Sequence, residues 1–252
     1  MARSAALGVL AILLVGIGAC GGPEAELARQ ETAQTRYDIG LGALVDGNLN
    51  KAISEFRQAV SLDPQNSRYH HALGNAYLRS QQLDQAIAEF RKAVEIDPRY
   101  SDALNDIGFA YKMQQNWNAA IEAFRRALAN PRYLNPERAY MNLGDIYHMQ
   151  GQYELAAEEF RKVIDVLPQS PDGHFLLGRT LLAEGKLQEA RENLERAVKI
   201  EGTISIFHLE LGKALLQLRQ RAEARDSFRR VLDLTPTGPE AEEARQHLKK
   251  LK

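Results

Sequence analysis

From position 33 to position 238 the chain alternates regularly between two kinds of segment. In one kind, apolar side chains recur three and four positions apart; in the other, a few polar residues interrupt them. Spacings of three and four place side chains on one face of a helix, so each periodic segment is predicted as an amphipathic helix and each break as a turn. The alternation also has a longer period. Gly40, Gly74, Gly108, Gly144, Gly178 and Gly212 follow one another at intervals of 34, 34, 36, 34 and 34 residues. Twelve residues after each comes Ala52, Ala86, Ala120, Ala156, Ala190 or Ala224, and four further on Phe56, Phe90, Phe124, Phe160, Leu194 or Phe228. A small side chain lets two helices approach and a bulky one fills the space between them, so the predicted unit is a pair of helices.

Whole units are legible in "SRYHHALGNAYLRSQQLDQAIAEFRKAVEIDPRY" and "PERAYMNLGDIYHMQGQYELAAEEFRKVIDVLPQS". Each has a segment around Leu-Gly-x-x-Tyr, a polar break, and a second segment that stops near a proline, which a continuing helix does not accept. In length and in these positions the units resemble tetratricopeptide repeats. The resemblance implies an all-α fold, a right-handed superhelical solenoid of six helical-hairpin repeats closed by a C-terminal capping helix. The repeats are expected at 33–66, 67–100, 101–136, 137–170, 171–204 and 205–238. A single hairpin leaves apolar surface open and its neighbour covers it, so the units are expected to stack.

Two units depart from the pattern. The third carries two extra residues in "LANPRYLNPERA", with Leu134 where others have Pro64, Pro98 or Pro168. This is expected to be either an enlarged loop or a change of angle between two three-repeat halves. In "KIEGTIS" Gly202 replaces the proline and is expected to act as an alternative helix stop. After the last unit, residues 239–252 start with Pro239, carry glutamates early and lysines late, and repeat apolar residues at Ala241, Ala244, Leu248 and Leu251. Those charges suit a helix dipole, so this stretch is expected to be the cap.

The first 32 residues have a different character. Arg3 precedes "AALGVLAILLVGIGA", 15 apolar residues ending in small side chains. As a helix this would rise about 22 Å, short of a hydrocarbon core of about 30 Å, and its layout is that of an export signal at 1–19. The following "IGAC", Ile17 to Cys20, resembles the lipobox of bacterial lipoproteins. That resemblance implies cleavage before Cys20, a covalent lipid on Cys20, and a tether at 20–32. Several acyl chains would hold the protein at a membrane without spanning it. Gly21 after the cysteine is similar to the sorting pattern of outer-membrane lipoproteins.

Composition narrows the chemistry. A formal charge of -1 over 252 residues offers no basic surplus for nucleic acid. The single cysteine closes no disulfide within the chain. His70, His71, His148, His174, His208 and His247 are scattered, with no metal-ligand spacing. There is no phosphate loop and no nucleophile elbow, so neither enzyme activity, nor a cofactor beyond the lipid, nor a small-molecule substrate is expected.

In the tetratricopeptide-repeat family the first helix of each unit lines the concave face through fixed positions. Carried over, these are Tyr37, Leu41, Leu44 and Val45 in the first unit, then His71, Asn75, Leu78 and Arg79, then Asn105, Phe109, Lys112 and Met113. Met141, Asp145 and His148 follow in the fourth unit, Phe175, Arg179 and Leu182 in the fifth, and Ile206, Leu209, Lys213 and Leu216 in the sixth. The mixture suits a bound peptide or helix. Asn75 matches one position of the clamp by which some members hold a terminal carboxylate, but Asp102 and Asp106 stand where that clamp needs positive charge.

A lipoprotein consisting of little but six such repeats resembles the pilotins of type IV pilus systems, including those that serve social gliding in myxobacteria. That resemblance implies binding of a secretin subunit, promotion of secretin assembly or localisation, and an outer-membrane anchor with the repeats in the periplasm. The repeats alone are equally consistent with a general periplasmic scaffold for envelope or peptidoglycan machinery.

Overall fold

A computed structural model describes residues 22–251; the export segment, Cys20 and its expected lipid lie outside the described residues. Six helical hairpins follow in order: α1 (Pro23–Val45) with α2 (Leu49–Leu62), α3 (Ser67–Arg79) with α4 (Leu83–Ile96), and α5 (Ser101–Met113) with α6 (Trp117–Leu128). The other three are α7 (Pro136–Met149) with α8 (Tyr153–Val166), α9 (Pro171–Glu184) with α10 (Leu187–Ile200), and α11 (Ser205–Gln217) with α12 (Arg221–Leu234). A last helix, α13 (Pro239–Lys250), trails them. The array is an all-α repeat solenoid with a capping helix.

Every hairpin turns in the same way. Gly47, Gln81, Gln115, Gly151, Gly185 and Arg219 occupy the same place in the six turns and all have left-handed φ, between 59° and 87°. The next amide reaches back over the turn, Asn48 to the Ala43 carbonyl at 2.8 Å and Lys186 to that of Leu181 at 2.9 Å. This satisfies a carbonyl that the helix end would leave open. Asn48 and Asn116 then cap the second helices, accepting from the amides of Lys51 (3.1 Å) and Ala119 (3.4 Å).

Inside each hairpin the recurring glycine meets the recurring bulky residue. A Cβ placed on Gly40, Gly74, Gly108, Gly144, Gly178 or Gly212 would lie 2.5–2.7 Å from Phe56, Phe90, Phe124, Phe160, Leu194 or Phe228. A second pairing joins the fourth residue of a unit to its twenty-third. Arg36 reaches Glu55 (3.1 Å), His70 reaches Glu89 (2.6 Å) and His174 reaches Asn193 (3.1 Å). In the third unit Leu104 and Ala123 stand at these two places. Three of the histidines are accounted for here: His70, His174 and His208 are buried, and the Nε2 of each faces a carbonyl six residues earlier, on Pro64, Pro168 and Gly202. Gly202 therefore keeps the geometry of the prolines it replaces. The helix α10 stops two residues before it, at Ile200, without a left-handed φ at Gly202.

Between units the first helices touch one another, α3 with α5, α5 with α7, and α9 with α11, whereas successive second helices stand farther apart among the described residues. The first helices thus form the tighter, inner layer. Three tyrosines on them take arginines from the preceding unit, Arg57 on Tyr77 (2.7 Å), Arg91 on Tyr111 (2.5 Å) and Arg125 on Tyr147 (2.9 Å). The enlarged connection after α6 does not split the core into halves. Its Tyr133 is buried in a cluster that runs from Ala43 to Ala190, its Asn130 donates to the Arg99 carbonyl and to Ser101 (both 3.0 Å), and its Leu134 stays 88% exposed. The core divides instead within the fifth unit, where Phe175 and Leu194 belong to a second cluster that ends at Leu251. At the other end α1 is continuous from Pro23, so the stretch expected as a tether is mostly helix, and 23–32 span about 15 Å at 1.5 Å per residue.

Candidate functional site, the open face of the first helices

The inner layer leaves one face of α1, α3, α5, α7, α9 and α11 uncovered along part of its length, and the residues expected on a concave surface fall into three groups there. Leu41, Phe109 and Met113 are exposed apolar side chains, as is Met149, which is not among the expected residues, and Val45 at the end of α1 is 89% exposed. Tyr37, Leu44, Leu78, Met141, Leu182 and Leu216 are half-buried beside them. Helical spacing accounts for this: positions 9 and 13 of a unit point away from the partner helix, whereas positions 5 and 12 lean on the next unit.

Three of the expected surface residues are not on the surface. Asn105 is 1% exposed and Phe175 is buried against Phe207, the rings stacked at 4.7 Å; Leu209 is buried as well. All three stand at position 5 of their units, which faces the following first helix.

The polar residues form a floor held by contacts between units. His71 Nε2 faces the acceptor Asp106 at 2.9 Å, and its Nδ1 pairs with the Tyr100 hydroxyl at 2.9 Å. Burial pushes the Tyr100 hydroxyl up to about 12. Asn75 lies 3.3 Å from the same imidazole, and Asn105 donates to Asp106 at 3.1 Å. From α7 Arg138 reaches both carboxylates, Asp106 at 3.2 Å and Asp102 at 3.4 Å. The place where a terminal-carboxylate clamp would keep positive charge free is therefore closed by an internal ion pair. Farther along, Lys112 donates to Asn142 (3.0 Å) and to Asp145 (2.8 Å), and His148 Nδ1 pairs with Thr180 at 2.9 Å. Burial, and after it the charge of Arg179, hold His148 below the ordinary histidine pKa. Arg79, exposed at the end of α3, donates to the Leu44 carbonyl at 3.4 Å.

At the far end burial opposes the charge of Lys213, but hydrogen bonds to Glu243 and Glu210 outweigh it and raise its pKa. Through Glu243 (2.7 Å) the same lysine ties α13 to α11. Among the described residues no group of three or more His, Cys, Asp or Glu is arranged to hold a metal ion. The face offers apolar side chains at its rim and hydrogen-bonding groups on its floor, which is chemistry for holding a polypeptide segment.

These features have counterparts in known proteins. A family model described as "Tetratricopeptide repeat" matches residues 106–174 and 175–239, and one described as "TPR repeat" matches 46–81 and 74–115. Among solved structures, PilF of Pseudomonas aeruginosa superposes with a TM-score of 0.75 at 23% identity, over 87% of this chain and 99% of that one. PilW, described as a widely conserved type IV pilus biogenesis factor, gives 0.74 at 22% identity, over 83% and 96%. YrrB, described as a TPR protein with an unusual peptide-binding site, gives 0.62 at 19% identity, over 76% and 97%. At these identities the likeness is one of fold. No curated protein matches the sequence.

Proposed function

The chain belongs to the tetratricopeptide-repeat family, and on that premise we propose that it is an outer-membrane lipoprotein that binds secretin subunits and promotes assembly or localisation of the type IV pilus secretin, as a pilotin does in pilus-dependent motility such as social gliding. The observation that carries this reading is the extent of the likeness. It covers 99% of the solved PilF chain and 96% of the solved PilW chain, so almost nothing of either solved chain lies outside the array shared with this one. The export segment and the "IGAC" motif ending in Cys20 add the means of attachment. In this reading a covalent lipid holds the array on the periplasmic side of the outer membrane, and the open face of the first helices takes a segment of a secretin subunit. Confinement to the membrane raises the effective concentration of the captured subunit without any further contact. No bond is made or broken, and neither nucleic acid nor a small-molecule substrate takes part. Deleting the gene is expected to remove detergent-resistant secretin multimers while monomer levels stay the same. Multimers at normal abundance would refute the proposal.

A further inference from the structure

Along the row of first helices most cations already have their anions: Arg138 has Asp102 and Asp106, Lys112 has Asp145, and Lys213 has Glu210 and Glu243. Arg68 and Arg79 lack one but are exposed, whereas Arg179 lacks one and is half-buried. Its guanidinium carbon lies 5.5 Å from the centre of the Phe175 ring, and its Nε is shut off from solvent with no hydrogen-bond partner. Among the described residues no carboxylate pairs with it. With Lys112, Asp145, His148 and Met149 it lines a depression of about 410 Å³ on the open face, where the one acidic group, Asp145, is engaged by Lys112 at 2.8 Å. Holding a cation partly out of water without a counter-ion is unfavourable, and the planar fork of N–H groups on arginine fits a carboxylate.

The surroundings of Arg179 say what kind of carboxylate fits. Toward the first units lie the exposed Phe109, Met113 and Met149; toward the last lie the half-buried Leu182 and Leu216. A chain ending at Arg179 would cover apolar side chains on one side only. We infer that Arg179 is the docking point for an acidic side chain within an otherwise apolar segment of the protein partner. This rests on the open face being the binding surface, and it adds the chemistry of the partner.

The test pans the full chain in detergent against dodecapeptides displayed with free C-termini. Each enriched sequence is then synthesised with a free and with an amidated C-terminus, and a photocrosslinking amino acid at Phe109 reports whether it lies on the open face. Enriched peptides are expected to carry Asp or Glu between apolar residues and to bind equally well when amidated. Arg179→Gln is expected to weaken binding about tenfold or more, Arg179→Lys by less, both with unchanged thermal midpoints. Arg179→Glu is expected to favour the peptide whose acidic residue is replaced by lysine. Peptides that crosslink at Phe109 yet bind both Arg179→Gln and Arg179→Lys undiminished would overturn the inference and leave the open face standing as the binding surface. Binding that vanishes on amidation would overturn it in favour of a terminal carboxylate. If no enriched peptide crosslinks at Phe109, the inference and the choice of face both fail.

Discussion

Gly74 stands against Phe90, a ring with no exposed surface, and a Cβ there would lie 2.6 Å from it. Alanine is the better helix former by about 1 kcal/mol, but overpacking a filled core costs about 1–3 kcal/mol, so Gly74→Ala is expected to lower stability in urea unfolding rather than raise it. The turns lead to the opposite expectation. Gly185 is suited to its left-handed φ, whereas Gln81, Gln115 and Arg219 hold the same conformation with a Cβ. Arg219→Gly relieves about 1 kcal/mol of strain, partly offset by unfolded-chain entropy, and is expected to raise the urea midpoint; Gly185→Ala is expected to lower it. A third expectation concerns acid. Burial and Arg179 keep the folded His148 pKa below its ordinary value of 6.5, so below that pH the unfolded chain binds more protons than the folded one. The stability contributed by neutral His148 is complete above pH 6.5 and is lost as pH falls from there through its lowered pKa. His148→Gln is expected to shrink the loss of stability between pH 7.5 and pH 5 in urea titrations, and an unchanged loss would contradict the assignment. Glu89, lowered despite its burial by hydrogen bonds from His70 and Lys92, contributes its own loss only in a more acidic window, below its ordinary value of 4.5.

At the scale of the element, each helix is held by its neighbours more than by its own propensity. The second helices depend on the glycine-to-phenylalanine contact within the hairpin, and the first helices on the layer they share. The capping helix α13 packs on α12 and α11 in the way a further first helix would. Its His247 ring stacks on Phe228 at 4.7 Å, and the carbonyl of Leu251, directly after it, takes a hydrogen bond from Arg225 at 2.6 Å. Ending the chain at Gly238 would therefore bare Phe228 and leave Lys213 with one carboxylate instead of two. Because coupling in such arrays runs mainly between nearest neighbours, amide exchange in α11 and α12 is expected to accelerate in that truncation while α3 to α6 keep their protection. Uniform acceleration would show a longer-range cooperativity than the packing implies.

At the scale of the whole molecule, the proposed function assigns location and binding to separate parts of the chain. Among the described residues no helix is long and apolar enough to cross a membrane, and the first buried side chain of α1 is Ala33. In the proposed function Cys20→Ala should leave circular dichroism and thermal unfolding of the repeats unchanged while releasing the protein from the membrane fraction. Firm membrane retention of that variant would count against lipid attachment.

The hairpins, their order and their number were legible in the sequence because what specifies them is local. Gly74 and Phe90 sit sixteen residues apart in one hairpin, so the same spacing recurs wherever the same contact recurs. The residues of one helix face could be named by register alone, as with Leu41, Phe109 and Met113. What only the tertiary structure decided is which of the register positions remain open and which polar groups are already occupied. Asn105 and Phe175 hold the same register position as the half-buried Tyr37 and His71, so register alone does not tell the covered from the open ones. The histidines looked scattered until packing brought His70, His174 and His208 to the carbonyls that bound each unit. Likewise the charges of Asp102, Arg138, Lys112 and Asp145 could be read one by one, but pairing across units spends them on one another and leaves Arg179 over. Periodicity reports contacts made within a unit; the free surface is what remains after units have met, and that depends on distances between helices that no single repeat contains.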